Sequence, residues 1–185
     1  QWPLRPQLGE IWSPAPATQD GLALNAADPM ESSKSLKLVE DMIAGLMSYD
    51  QKSLSSMGMK RFWTPQFQWY GPGGIGSARG HVDYERAHQG PFLTAFPDRI
   101  GGNHKCRIGE GTYVASTGWP SLNATHFGDD WIGLPATGKR ITQRIMDFWR
   151  REDDMLVENW VFIDMVDLIS QFGIDLLPDH KRETK

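Results

Sequence analysis

Asp147 is the residue whose type and surroundings best suit proton chemistry. It lies in the alternating segment Arg140 to Arg150, which a tight turn at Glu152-Asp153-Asp154 joins to a second alternating segment, Met155 to Ile163. A hairpin with three loop residues puts Asp154 in the left-handed position, which Asn, Asp and Gly tolerate best. Side chains alternate along a strand, so Gln143, Ile145, Asp147 and Trp149 then share a face with Val157, Asn159, Val161 and Ile163. A carboxylate on so apolar a face must be paired, protonated or functional, because burying an unpaired charge is costly. Asn159, nearly opposite, is the expected hydrogen-bond partner. In a water-poor pocket, desolvation lifts the carboxyl pKa toward the range useful for moving a proton beside a carbonyl. A two-residue turn shifts the pairing by one and sets Asp147 beside Glu158 and Trp160. In a purely structural role, Asp147 accepts hydrogen bonds and holds the register of the sheet.

An acid of this kind often works beside an imidazole. None of the five histidines forms a metal-ligand pattern. His81 and His88 are too far apart along a helix to chelate one ion, and His88, near Gly90-Pro91, is the better pocket candidate. His104 is expected to share a strand face with Cys106 and Ile108 as a core residue. His126, in Asn-Ala-Thr-His-Phe-Gly, could gate a pocket mouth, and His180 falls in a charged tail. Asp164 looks catalytic at first sight. Its place before Asp167 at the start of a helix is that of an N-cap followed by an acidic first turn. Among the abundant aromatic residues, Trp69, Tyr70, Phe92, Phe96, Trp119 and Trp149 are placed to line a flat, apolar ligand site or to pack the core. Gly71-Pro72-Gly73-Gly74-Ile75-Gly76 lacks the Lys-Ser/Thr and the strand-to-helix setting of a phosphate loop, and reads as a loop at the pocket rim.

The elements that must hold these groups follow from punctuation and period. Asp28-Pro29-Met30-Glu31 carries the signals of a helix start, and Leu36, Val39, Ile43 and Leu46 form an apolar stripe running to about Tyr49. Asp50 is expected to cap a second helix carrying Leu54, Met57 and Phe62, stopped by Thr64-Pro65. A short strand, Phe67 to Tyr70, precedes a third helical region, Val82 to Phe96, bent at Gly90-Pro91. Strands are expected at Lys105–Ile108 and Tyr113–Trp119 around Gly109-Glu110-Gly111, followed by the long hairpin and a closing helix from Asp164. Helices first, then antiparallel strands, is an α+β order.

At 185 residues, the chain suits one core. We divide it into an irregular, proline-rich extension over 1–27, a domain over 28–177 and a charged tail over 178–185. The net charge of −4 and the scattered basic residues give no footprint for nucleic acid or an anionic membrane. No apolar run is long enough to span a bilayer. Cys106 is the single cysteine, which excludes an internal disulfide and suits a reducing compartment, so a cytoplasmic location is expected.

Three segments carry a resemblance. Gly-Pro-Phe-Leu-Thr-Ala-Phe-Pro-Asp-Arg (90–99), Gly-Leu-Pro-Ala-Thr-Gly-Lys-Arg (133–140) and Val-Glu-Asn-Trp-Val-Phe-Ile-Asp-Met-Val-Asp-Leu (157–168) together resemble a SnoaL-like polyketide cyclase domain, over roughly Lys34 to Gly173. The resemblance implies the cone-shaped nuclear-transport-factor-two-like fold: a bent antiparallel sheet with three helices enclosing a pocket, and a homodimer formed through the sheet. It also implies that a pocket histidine of the cyclases falls at Asp147 and their acid/base aspartate at Val161, which cannot transfer a proton.

The expected function is therefore acid/base chemistry on a small hydrophobic carbonyl or polyketide-like compound, by cyclisation, isomerisation or dehydration, without metal or organic cofactor. Asp147 carries the proton, while Asn159 and His88 or His126 orient the substrate. The competing expectation is a non-catalytic binding or assembly module that keeps the pocket, and Val161 argues for it.

Overall fold

A computed structural model describes residues 26–177. The readings made for the N-terminal extension up to residue 25, and for the tail over 178–185, lie outside the described residues.

Helix α1 (Pro29–Leu46) starts as its residues dictate: the Asp28 carboxylate accepts from Met30 N at 2.8 Å, and Pro29 occupies the first turn. Glu31 does not close a capping box. Its carboxylate pairs instead with Arg151 on the hairpin, 120 residues away in sequence. The buried stripe of α1 includes Val39, Met42 and Gly45, and at Gly45 a Cβ would come within 2.8 Å of Met57 O. The helix ends three residues before Tyr49. The second expected helix is two short 3-10 turns, Leu54–Met57 and Met59–Arg61, split by left-handed Gly58. Ser53 caps the first turn, and Asp50 is spent on accepting from Lys52 N and Ser53 N.

Strand β1 (Trp63–Tyr70) runs through Thr64-Pro65 rather than starting after it. Its pairing is irregular between Trp63 and Gln68, where a residue without an N–H costs no ladder bond. After β2 (Ser77–Arg79), α2 (Gly80–Tyr84) leads through a π turn at Glu85–Gln89 into α3 (Gly90–Ala95), forming one helical body. The π turn accommodates Pro91, which offers no N–H to the preceding turn. Strands β3 (Ile100–Gly101), β4 (Cys106–Glu110), β5 (Tyr113–Thr125), β6 (Arg140–Glu152) and β7 (Met155–Ile163) follow, and then α4 (Met165–Phe172). Asp164 is the N-cap of α4, accepting from Asp167 N at 3.0 Å.

The fold is α+β, with a bent, unclosed sheet in the order β2-β1-β7-β6-β5-β3 and β4 paired to β5. All neighbours are antiparallel except β1, which runs parallel to β7. Helix α1 lies against β4 and β5, α2 against β1 and α4 against β6. The core between them contains Val39, Met42, Met57, Trp69, Leu156, Leu168 and Ile169.

The hairpin corrects the expected loop count without moving Asp147. Glu152 pairs with Met155, so the turn has two residues, Asp153 and Asp154, and it is Asp153 that takes positive φ. A bulge then intervenes: Arg151 faces Leu156 but Arg150 faces Glu158, leaving Val157 as the extra residue. The turn shifts the pairing by one, and the bulge shifts it by one more. Because side chains alternate with period two, the second shift returns Asp147 to the face of Asn159, Val161 and Ile163.

Candidate active site

A cavity of about 380 Å³ lies between the inner face of the sheet and the helices. Strand β6 contributes Gln143, Ile145, Asp147 and Trp149, β7 contributes Asn159, Val161 and Ile163, and the helical body contributes Tyr84, His88 and Phe92. Trp69 closes the β1 side. Apolar walls with a few convergent polar groups are the usual make-up of a small-molecule site.

Asp147 faces into this cavity, with its side chain only 15 % exposed. Burial pushes its carboxyl up to about 7, opposed in part by hydrogen bonding from Asn159. Asn159 sits across from Trp149 rather than from Asp147, and its Nδ2 also donates to Phe148 O at 3.1 Å. The residue directly opposite Asp147 on β7 is Val161.

His104 stands closest to the acid. Its Nε2 is 3.8 Å from Asp147 Oδ2 and shares a 2.5 Å hydrogen bond with Ser116 Oγ. Ser116 is directly across from Asp147 in the β5–β6 ladder, so the two strands present hydroxyl and carboxyl side by side. His104 belongs to the connection before β4 and turns inward, while Cys106 and Ile108 are exposed. That overturns the expectation of a core residue sharing their strand face. Gly118 makes this possible: a Cβ there would overlap Asn103 O and His104 Cα, so only glycine lets the loop lie on β5. Burial, and then the nearby Arg107 guanidinium, lower the His104 pKa and favour the neutral ring.

His88 also reaches the cavity, stacked on Trp69 at 4.3 Å between ring centroids, with a buried Nδ1 that has no hydrogen-bond partner. Burial drives its pKa down to about 3, so it is a neutral donor or acceptor. Tyr84 lies one helical turn before it. Burial raises the Tyr84 phenol pKa, and the Asp147 charge adds to the effect.

Trp69, Phe92, Trp149, Asn159 and Val161 thus join Asp147 and His88 around the cavity, and four other candidates do not. Tyr70 points to the outer face, stacked on Trp160 at 5.5 Å, because neighbours on a strand cannot share a face and Trp69 takes the inner one. Trp119 is 65 % exposed, with the Arg144 guanidinium 4.0 Å above its ring. Phe96 follows the end of α3 and packs edge-on against Trp131. His126 is fully buried, stacked on Phe172 at 4.3 Å, with Nδ1 at 3.2 Å from Thr137 Oγ1. It fastens the loop before β6 to α4 rather than gating the cavity.

His104, Tyr84 and Gln143, which line the cavity, and Ser116, which bonds His104, are residues that sequence reasoning passed over as functional groups. Only Gln143 carried a signal, the alternation that places it on the face of Asp147. His104 sits in a stretch without period, and Ser116 and Tyr84 depend on contacts between distant elements. Among the described residues, no cluster of three or more His, Cys, Asp or Glu could hold a metal ion, and no helix is long and apolar enough to cross a membrane.

The bent sheet and the helices on it agree with comparisons to known proteins. The SnoaL-like polyketide cyclase family matches residues 49–172, and the chain belongs to that family. Among solved structures, it is similar to a proposed SnoaL-like polyketide cyclase from Jannaschia sp. CCS1, with 15% identity, TM-score 0.64, and 80% of this chain and 97% of that chain covered. It is also similar to AclR, a proposed hydroxylase from Streptomyces galilaeus, with 26% identity, TM-score 0.58, and 77% and 97% covered. IdmH, a proposed polyketide cyclase from Streptomyces antibioticus, has 22% identity and TM-score 0.54, with 73% and 98% covered. No curated protein matched.

Proposed function

We propose that this chain is an enzyme that moves protons on a small hydrophobic carbonyl compound of polyketide type, using its own side chains, in a ring closure, isomerisation or dehydration. The observation that carries this reading is the Asp147 carboxyl, held in an apolar cavity with a pKa of about 7 and the His104 imidazole 3.8 Å away. Near neutral pH such a carboxyl is present in both forms, which suits a group that takes a proton and returns it. The Asp147 carboxylate takes the proton from the carbon beside the carbonyl. The electron pair of that C–H bond moves into an enolate, and the enolate oxygen accepts from Tyr84 or His88. The enolate carbon then attacks a second carbonyl within the molecule, whose oxygen takes the proton from Asp147; or Asp147 returns the proton to another carbon of the conjugated enolate; or the enolate expels a β-hydroxyl, which leaves as water with that proton. His104 packs beside the carboxyl and helps to bury it.

Val161, where the family resemblance implies the acid/base aspartate, faces Asp147 across β6 and β7. A carboxylate on the facing strand therefore serves the same region of the cavity. A second reading, a binding module that keeps the pocket without turnover, draws on the same valine. Replacing Asp147 with Asn separates the two. Lost turnover with retained fold and ligand affinity supports the enzyme, and unchanged behaviour in every assay supports the binder. The outer face exposes Trp119, Met146 and Phe162, which suits a homodimer formed through the sheet. The exposed free thiol of Cys106 suits a reducing compartment such as the cytoplasm.

A further inference from the structure

We infer that the ligand of this cavity is an acid: an elongated hydrophobic molecule whose far end carries a carboxylate with a neighbouring hydroxyl, seated between Arg99 and Gln143. The inference rests on the reading of the cavity as the reaction site and names its substrate class.

Gln143 is 0% exposed, it lines the cavity, and neither its Nε2 nor its Oε1 has a hydrogen-bond partner. Leaving both ends of a buried amide unsatisfied is costly, so a native fold keeps such a group where a ligand completes it. An amide offers one acceptor and two donors, and so matches a group that presents an acceptor and a hydroxyl side by side.

The charge at the same end is positive. Gly101 pairs with Leu122 and Leu122 with Gln143, so the end of β3 lies two strands from Gln143 on β6. Arg99, just before β3, lines the cavity there, half-buried. Its Nη2 donates to Leu46 O at 3.2 Å and its guanidinium lies 5.5 Å from the centre of the Tyr49 ring, and among the described residues no carboxylate pairs with it. Lys105 and Arg107 add further positive charge to the lining, with Arg107 held 3.6 Å from Glu40. Among the described residues, Asp147 is the only acidic side chain on the cavity wall. A half-buried guanidinium with no carboxylate partner, lining the same cavity as an unsatisfied amide, is a carboxylate-reading arrangement, and Arg suits it through its planar, multiple donors.

The spacing sets ligand length. Gln143 and Asp147 are four positions apart on one strand face, about 13 Å between Cα atoms. A molecule anchored at Gln143 and reacting at Asp147 must bridge that gap, which fused rings or a comparable chain do between the Trp69, Phe92 and Trp149 walls.

The test uses three probes: an ortho-hydroxynaphthoic acid, its methyl ester, and the naphthoic acid lacking the hydroxyl. Binding is followed by calorimetry and by tryptophan fluorescence in the full chain, with Arg99→Met and Gln143→Leu as variants and thermal unfolding as the check on folding. The wild type is expected to bind the hydroxy acid about tenfold more tightly than its ester. Arg99→Met should erase that preference, and Gln143→Leu should erase the preference for the hydroxylated over the plain acid by a similar factor. Equal binding of acid and ester by the wild type, or absence of binding by all three, overturns the proposal, as does a preference that survives Arg99→Met in a folded variant. These readouts do not involve turnover. An acid preference with an inactive Asp147 would sink the enzymatic reading and leave this one, and turnover without an acid preference would do the reverse.

Discussion

His104 Nε2 lies 3.8 Å from Asp147 Oδ2, although the two residues come from the loop before β4 and from the middle of β6. Ser116, between them in the sheet, bonds the imidazole at 2.5 Å. The pair is held by three elements that meet only because β5 pairs with both β4 and β6. Removing the ring is expected to change how the acid titrates. With His104→Gln, turnover should fall by about one to two orders of magnitude, and the acid limb of the pH–rate profile should move. A profile that keeps its shape while only the rate constant drops would assign His104 to substrate contact alone.

Asp147→Asn should lower kcat by about two to four orders of magnitude with little loss of fold, since the amide keeps the shape of the carboxyl. Steady-state kinetics alongside a far-UV and thermal melt check this.

The same substitution has a stability signature. The folded carboxyl has a pKa of about 7, above its ordinary 3.8, so between those values the folded protein holds a proton that the unfolded chain has released. The stabilising contribution is present below about pH 4 and is lost as the pH rises through about 7. Its full size is at most about 4 kcal/mol. Denaturant unfolding across this range should show wild-type stability declining relative to Asp147→Asn, and parallel curves would mean that the carboxyl is ordinary.

Gly118→Ala is expected to act on the site through the loop. The added Cβ meets Asn103 O and His104 Cα, so either the loop lifts away or β5 shifts. A cost of about 2 to 4 kcal/mol in stability is expected, with loss of the pH signature of the His104 pair.

Arg151 ties α1 to the hairpin. It is 2 % exposed, donates to Ser35 Oγ at 2.8 Å, and also bonds Glu31 and Asp153 O. Arg151→Met should cost about 2 to 4 kcal/mol, less than a fully buried pair would, because Glu31 is half exposed and regains water. Chemical denaturation measures it.

Phe162→Glu on the outer face should leave the fold intact and, if the sheet is the dimer surface, shift the protein to monomers in analytical ultracentrifugation. Identical sedimentation of variant and wild type would remove the proposed homodimer through this face.

Local chemistry is what the sequence determines alone. The Asp28 and Asp164 caps, the apolar stripe of α1, β7 from Met155 to Ile163 and the inward face of β6 follow from residue type and period, because capping and alternation act over a few residues. Short-range rules could not supply the rest. The turn after β6 is one residue shorter than expected and a bulge compensates, a matter settled by how β7 must meet both β6 and β1. Likewise Phe96 and His126 left the cavity for packing positions and Tyr70 and Trp119 for the outer face, while His104 and Arg99 entered it. An aromatic or imidazole ring gains by burial in any apolar place, so its type does not say which. That choice belongs to the contacts between elements far apart in the chain, and only the assembled sheet and helices make it.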